Sequence, residues 1–265
     1  MKITILTLFP EMFDGFLTNS IIKRAIAKGL VSIELVNIRD YTKDKYHRVD
    51  SAPTGGGAGL IMKCQPLVDA IQAHKTEQTK VFLLSPRGNT FNQKTAHQFA
   101  SLTDFMLICG HYEGIDERVN QYIDGMISLG DFILTGGEIA SMAIADAVIR
   151  LLDGAIAEAS TMEETFEQGL LEYPQYTEPY DFEGATIPDI LFSGNHTAIA
   201  KWRHLQSLLL TKKYRPDLFA EYPLSKQDLK LLRENQEDDV PPWHQDAIEK
   251  GHKFIKKKKG DSNVD

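Results

Sequence analysis

Three glycine-bearing loops hold most of the residue types that could do chemistry in this chain. Ser85-Pro86-Arg87-Gly88 follows a short apolar run. Gly110-His111-Tyr112-Glu113-Gly114-Ile115-Asp116-Glu117-Arg118 follows another, and packs a histidine, three acids and an arginine into one stretch. Ser128-Leu129-Gly130-Asp131-Phe132-Ile133-Leu134-Thr135-Gly136-Gly137-Glu138 is the third, its paired glycines set just ahead of a helical stretch where backbone N–H groups are open to a ligand. Each segment alone reads equally as a tight turn or a solvated charged connection. Together they predict one composite pocket, because ligands of open α/β sheets bind beyond the carboxyl ends of the strands and loops on a rigid scaffold tend to carry function.

A fourth loop, Thr54-Gly55-Gly56-Gly57-Ala58-Gly59, invites comparison with a phosphate-binding loop. It lacks the Gly-Lys-Ser/Thr that would follow, and no helix clearly opens there. Two readings stay open: a flexible surface loop, or a backbone bare enough for a flat base to approach. Arg150, Glu163 and Glu164 read either as a helix-end cation and solvated acids or as site residues. Trp202 on a helix reads as core rather than as a base-stacking platform.

The elements that must position these loops alternate. Lys2–Phe9, Val31–Val36, Val81–Leu84 and Phe105–Cys109 are β-rich or apolar runs that predict strands. Ile21–Lys28 (stopped by Gly29), Asn92–Leu102 and Glu138–Leu152 predict helices. Such alternation predicts an α/β fold with a parallel sheet. After Gly154 the chain turns small, polar and acidic, then becomes a proline-bearing extended loop over Tyr173–Pro188. From Asn195 it reads as a small helical domain, with helices over Thr197–Leu210 and Lys226–Glu237. Beyond Trp243 it ends in a lysine run that predicts a disordered tail.

Composition narrows the function classes. No apolar run reaches the roughly 18 residues of a membrane helix, and Met1 to Ile5 reads as a strand rather than a secretory leader. Cys64 and Cys109 make neither a disulfide framework nor a metal quartet, and a cytoplasmic protein is expected. The net charge of −8 argues against a broadly basic nucleic-acid binder. Cations nevertheless cluster at Lys201-Trp202-Arg203-His204, Thr211-Lys212-Lys213-Tyr214-Arg215 and Lys253 to Lys259, so any RNA contact should be local and salt-sensitive.

Taken in chain order, six segments resemble the bacterial tRNA (guanine-N1)-methyltransferase family: Leu8-Phe9-Pro10-Glu11-Met12-Phe13, Gly55 to Gly59, Leu84 to Gly88, Gly110 to Arg118, Gly130 to Glu138, and Ser193-Gly194-Asn195-His196. The resemblance implies the SPOUT architecture: a parallel sheet with a deep trefoil knot, plus a small C-terminal helical domain. It implies a knotted donor-binding domain over 1–155, a linker over 156–172 carrying the general base, a tRNA-binding domain over 173–250 and a lysine-rich tail over 251–265. The implied cofactor is S-adenosylmethionine, held by Leu84, Ser85, Pro86, Gly110, Ser128, Leu129, Gly130, Leu134, Gly136 and Gly137. The implied substrate is the guanine 3′ to the anticodon (position 37) of tRNA, approaching Gly57, Ala58 and Gly59. The implied partners are a tRNA anticodon stem-loop and a second copy of the chain, not DNA and not a membrane.

The resemblance also assigns the chemistry. Glu164 takes the guanine N1 proton, Arg150 stabilises charge developing on O6, and Glu113 holds the base or helps bind magnesium. The family has Asp at the position of Glu164, and the extra methylene shifts the carboxylate by roughly 1 Å, a displacement that matters in catalysis. Ala140 and Thr54 stand where the family has proline and tyrosine. Besides this activity, the resemblance leaves a divergent paralogue acting on another RNA, and a non-catalytic RNA- or donor-binding protein.

Overall fold

The computed structural model describes residues 1–156, 165–166, 169–235 and 241–261, with 253–261 as backbone. The chain divides into two compact units, Met1–Thr161 and Met162–Asp265.

The first unit runs β1 (Lys2–Thr7), α1 (Asp14–Thr18), α2 (Ser20–Ala27), β2 (Ser32–Asn37), β3 (Asp50–Ser51), β4 (Ile61–Met62), α3 (Cys64–His74), β5 (Lys80–Thr90), α4 (Gln93–Ala100), β6 (Asp104–Ile108), β7 (Gly125–Ser128) and α5 (Glu138–Ile149). Five strands form one parallel sheet in the order β2-β1-β6-β5-β7. The expected α/β class with a parallel sheet is what the chain adopts.

Both faces of the sheet are covered, so its central strands are apolar at successive positions rather than alternating. In β6 every residue is buried. Phe105 and Leu107 point to the face packed by α2, α4 and α5, while Met106 and Ile108 point to the face packed by α3. Phe99 of α4 fixes the first layer, its ring 4.5 Å from Phe82 and 5.2 Å from Phe105. Truncating such an aromatic to alanine costs about 3–5 kcal/mol.

Two local expectations are corrected here. The strand beginning at Val81 does not end in a turn at Ser85. It pairs with β7 through Phe82–Leu84, slips register, and pairs again at Asn89–Thr90. Ser85 to Gly88 is thus a bulge within β5, and a bulge re-aims side chains without ending the sheet. The second correction concerns the chain beyond Trp243, which is helical from Pro242 to Asp261 rather than disordered. Ala247 is buried there in a small core, and Gly251 lies so close to Ser193 that a Cβ would fall 2.4 Å from its Cα. Tertiary packing thereby holds a helix that composition alone would leave solvated.

The second unit contains α6 (His196–Tyr214), α7 (Pro216–Glu221), α8 (Lys226–Glu234) and α9 (Pro242–Asp261), preceded by a short hairpin of β8 (Asp181–Phe182) and β9 (Ala185–Thr186). Its core is Ile190, Ala198, Trp202 and Ala247. Asn195 caps α6 by accepting from the Ala198 N–H at 3.1 Å. Ser225 and Asp228 form a reciprocal capping box at α8.

Candidate functional site

The carboxyl end of the sheet carries a cavity of about 610 Å³, a volume ordinary for a small-molecule site. Three chain segments wall it: the β5 bulge, the loop after β6 and the loop after β7. All ten residues expected at the donor line it: Leu84, Ser85, Pro86, Gly110, Ser128, Leu129, Gly130, Leu134, Gly136 and Gly137. His111, Tyr112 and Glu113 line it as well. Apolar walls from Ile127, Leu129 and Leu134 suit the face of an adenine, and the glycines leave backbone polar groups within reach of a ligand. The residues therefore fit an adenosyl group.

Two of the loops are zipped together. His111 bridges Gly136, and the Gly137 N–H donates to the Gly110 carbonyl at 3.0 Å. This contact needs glycine. A Cβ on Gly137 would lie 2.6 Å from Cys109 Cα, and one on Gly136 would lie 2.2 Å from His111 Cε1. Beneath them Cys109 is fully buried. Burial, reinforced by the Glu138 charge, pushes its thiol well above the ordinary value, which leaves it protonated and unreactive.

Glu113 links the cavity to the glycine-rich loop. Its backbone N–H donates to the Leu60 carbonyl at 3.1 Å, and its Oε2 accepts from the Leu60 N–H at 3.2 Å. The carboxyl group occupies the space over Gly59, where a Cβ would fall 1.9 Å from Cδ. Gly57, Ala58 and Gly59 belong to the connection between β3 and β4 and do not line the cavity. The neighbouring acids are engaged elsewhere. Glu117 accepts from Arg87 at 3.0 Å, and the Arg118 fork holds the Asp116 carboxyl below its ordinary range. Among the described residues no group of three or more His, Cys, Asp or Glu is arranged to hold a metal. Glu113 itself is tied to the Leu60 N–H, and the described residues do not fit a magnesium ion.

Arg150 follows the last turn of α5. At 1.5 Å per residue it stands about 18 Å along the helix from the cavity end. Glu163 and Glu164 lie outside the described residues. Among described residues, the sequence reading missed Thr7 and the pairing of His111 with Glu138. Glu138 is buried, accepts from the Thr7 hydroxyl at 2.6 Å and sits 2.7 Å from His111 Nε2. These groups are separated by up to 131 residues, so no spacing rule could have joined them.

In the second unit the cations of α6 are interleaved with aromatics. Lys201 Nζ is 4.3 Å from the Trp243 ring centre, and the Arg203 guanidinium is 4.7 Å from that of Tyr173. Trp202 is buried as expected, whereas Lys212, Lys213 and Tyr214 are exposed.

A doubly covered parallel sheet, with a bulged strand and glycine loops converging on a cavity at its carboxyl end, defines an α/β protein built to bind a small molecule. Over residues 1–221 the chain matches the family described as tRNA (Guanine-1)-methyltransferase TrmD, and it belongs to that family. A relative from Clostridium perfringens (strain 13 / Type A), named tRNA (guanine-N(1)-)-methyltransferase, is 54% identical over 235 residues, covering 88% of this chain and 99% of its own. One of the same name from Clostridium botulinum (strain Hall / ATCC 3502 / NCTC 13319 / Type A) is 53% identical over 236 residues, covering 88% of this chain and 98% of its own. No helix among the described residues is long and apolar enough to cross a membrane.

Proposed function

We propose that this chain is an enzyme that methylates N1 of a tRNA guanine, the one 3′ to the anticodon at position 37, with S-adenosylmethionine as donor. The observation that carries the reading is the convergence of the β5 bulge and the loops after β6 and β7 on one cavity in a chain of this family.

S-adenosylmethionine supplies a methyl carbon made electrophilic by its sulfonium. The cavity residues would hold and desolvate it, Leu129 and Leu134 being suited to a purine and the glycine backbones to polar groups. Glu113 holds the guanine at the mouth, beside the Gly57-Ala58-Gly59 backbone. Glu164 would accept the guanine N1 proton as N1 takes up the methyl group that the donor supplies. Arg150 offsets negative charge on O6.

Because Arg150 stands about 18 Å along α5 from its own cavity, we assign it to the site of a second copy. The apolar rim supports such a homodimer: Phe132, Ile133 and Ile139 are exposed there, Ile133 at 83%. We place the trefoil knot at the zipped loops after β6 and β7, the linker base at Glu164, and the anticodon stem-loop on the second unit, where exposed Lys212, Lys213 and Tyr214 can meet phosphates and bases.

The deciding experiment incubates protein, tRNA and donor, then digests the RNA and looks for N1-methylguanine by mass spectrometry. Its absence under single-turnover conditions overturns the activity. Glu164→Ala should lower kcat by about 10²–10⁴ with donor affinity unchanged. Mixing Glu113→Ala chains, defective in their own cavity, with Arg150→Ala chains, defective in what they lend to the other copy, should restore turnover. Failure to do so would refute a site shared between copies.

A further inference from the structure

We infer that Glu138 is a positioning residue of the cavity: its carboxylate holds His111 with a hydrogen on Nε2, so that the ring presents Nδ1 at the cavity wall to a polar group of the ligand. This rests on the reading of the cavity as the methyl-donor site.

Glu138 opens α5 and is 1% exposed. A carboxylate so far from water requires a partner for each oxygen, and each has one. Oε1 accepts from the Thr7 hydroxyl at 2.6 Å, and Oε2 is 2.7 Å from His111 Nε2. Thr7 Oγ1 already accepts the Phe9 N–H at 2.9 Å, and its own hydrogen points to Glu138. We place the hydrogen of the second bond on Nε2, with the carboxylate oxygen accepting. The partner of one ring nitrogen thereby decides the role of the other.

The ring has little room to escape this arrangement. Gly136 admits it: a Cβ there would lie 2.2 Å from His111 Cε1, 2.4 Å from its Nε2 and 2.6 Å from Glu138 Oε2. Phe9 meets the ring edge-on at a centroid distance of 5.0 Å. The His111 backbone N–H is taken by Met62 Sδ at 3.3 Å. No hydrogen bond joins Nδ1 to any described residue, and His111 lines the cavity. Three strands' ends, carrying Thr7, His111 and the segment that leads into Glu138, are therefore tied at one buried carboxylate directly behind the donor wall. A hydrogen bond to a charged group fixes geometry more strongly than a neutral one, and a site ring held from behind loses less freedom when the ligand arrives.

The test uses the full chain and S-adenosylhomocysteine as the binding probe. Long-range proton–nitrogen spectra of the imidazoles, with the His111 signals assigned by their loss in His111→Asn, should show the Nε2–H tautomer. An Nδ1–H tautomer in the unaltered protein overturns the proposal. Glu138→Gln, which replaces a charged acceptor by a neutral amide, should weaken the probe about tenfold and raise the KM for donor by a similar factor, with kcat at saturating donor nearly unchanged. A folded Glu138→Gln with unaltered probe affinity also overturns it. Thr7→Val serves if Glu138→Gln does not fold. It should keep the tautomer and weaken the probe about threefold, with Thr7→Ser restoring affinity. Unchanged binding by Thr7→Val counts against the proposal. If the unaltered protein does not bind the probe at all, the donor reading fails, while the tautomer still reports on the Glu138–His111 bond.

Discussion

The two units of this chain solve the problem of holding polar groups in opposite ways. In the first, two covered faces of a parallel sheet leave only the strand ends for chemistry. The groups there are fixed by backbone contacts so close that glycine is required, as at Gly136 and Gly137. In the second, a core of Ile190, Ala198, Trp202 and Ala247 supports helices whose cations lie against aromatics and acids. A site of the first kind tolerates almost no change in backbone position. A surface of the second kind spreads its interactions over many replaceable contacts, which suits recognition of a polyanion. Gly137→Ala tests the first half of that contrast and should have the largest effect. The added methyl meets the Cys109 backbone, so affinity for S-adenosylhomocysteine should fall by about 100-fold, read by calorimetry. A fall of less than about threefold would show the loops to be looser than their contacts indicate.

Trp202→Ala probes independence. Losing this buried ring should destabilise the second unit by about 3–5 kcal/mol, seen as a separate early melting transition, while donor affinity stays unaltered. A matching loss of donor binding would mean that the units do not act separately. A smaller effect concerns acid. Burial works to raise the Asp228 carboxyl, but hydrogen bonds from His204 and from Ser225 outweigh it and hold the group below its ordinary value. A depressed folded value contributes stability that is present above the unfolded value of about 3.9, and that is lost as pH falls through the folded one. The second unit should therefore weaken below about pH 4, and Asp228→Asn should flatten that part of its stability profile. The smallest effect is expected at the lysine run. Ending the chain after His252 should leave kcat unchanged and make the salt dependence of tRNA binding shallower by up to about 3.5 in log–log slope, near 0.7 for each of the lysines removed. An unchanged slope would show the run to be idle.

Much of the first unit was legible because its cause is local. Apolar runs buried on two faces have a signature in the residues themselves, and the ten cavity residues stand in motifs that follow such runs. Other parts were not legible. The segment from Cys64 to His74 forms α3, with Pro66 in its first turn where a missing N–H costs nothing, yet it offered no clear signal. The bulge at Ser85 to Gly88 depends on the register of a neighbour, and the helix beyond Trp243 depends on Ser193.

By itself the sequence determined the class of sheet and the family, and it singled out the segments that line the cavity, since burial patterns and motif residues are properties of neighbours along the chain. Only the tertiary structure decided that Ser85 to Gly88 bulges within a strand, that Glu113 reaches back to the glycine-rich loop, and that one buried carboxylate ties Thr7 to His111. Those contacts join residues tens to more than a hundred positions apart. A hydrogen bond across such a separation is made by packing, and it leaves no mark in the spacing of the residues that form it.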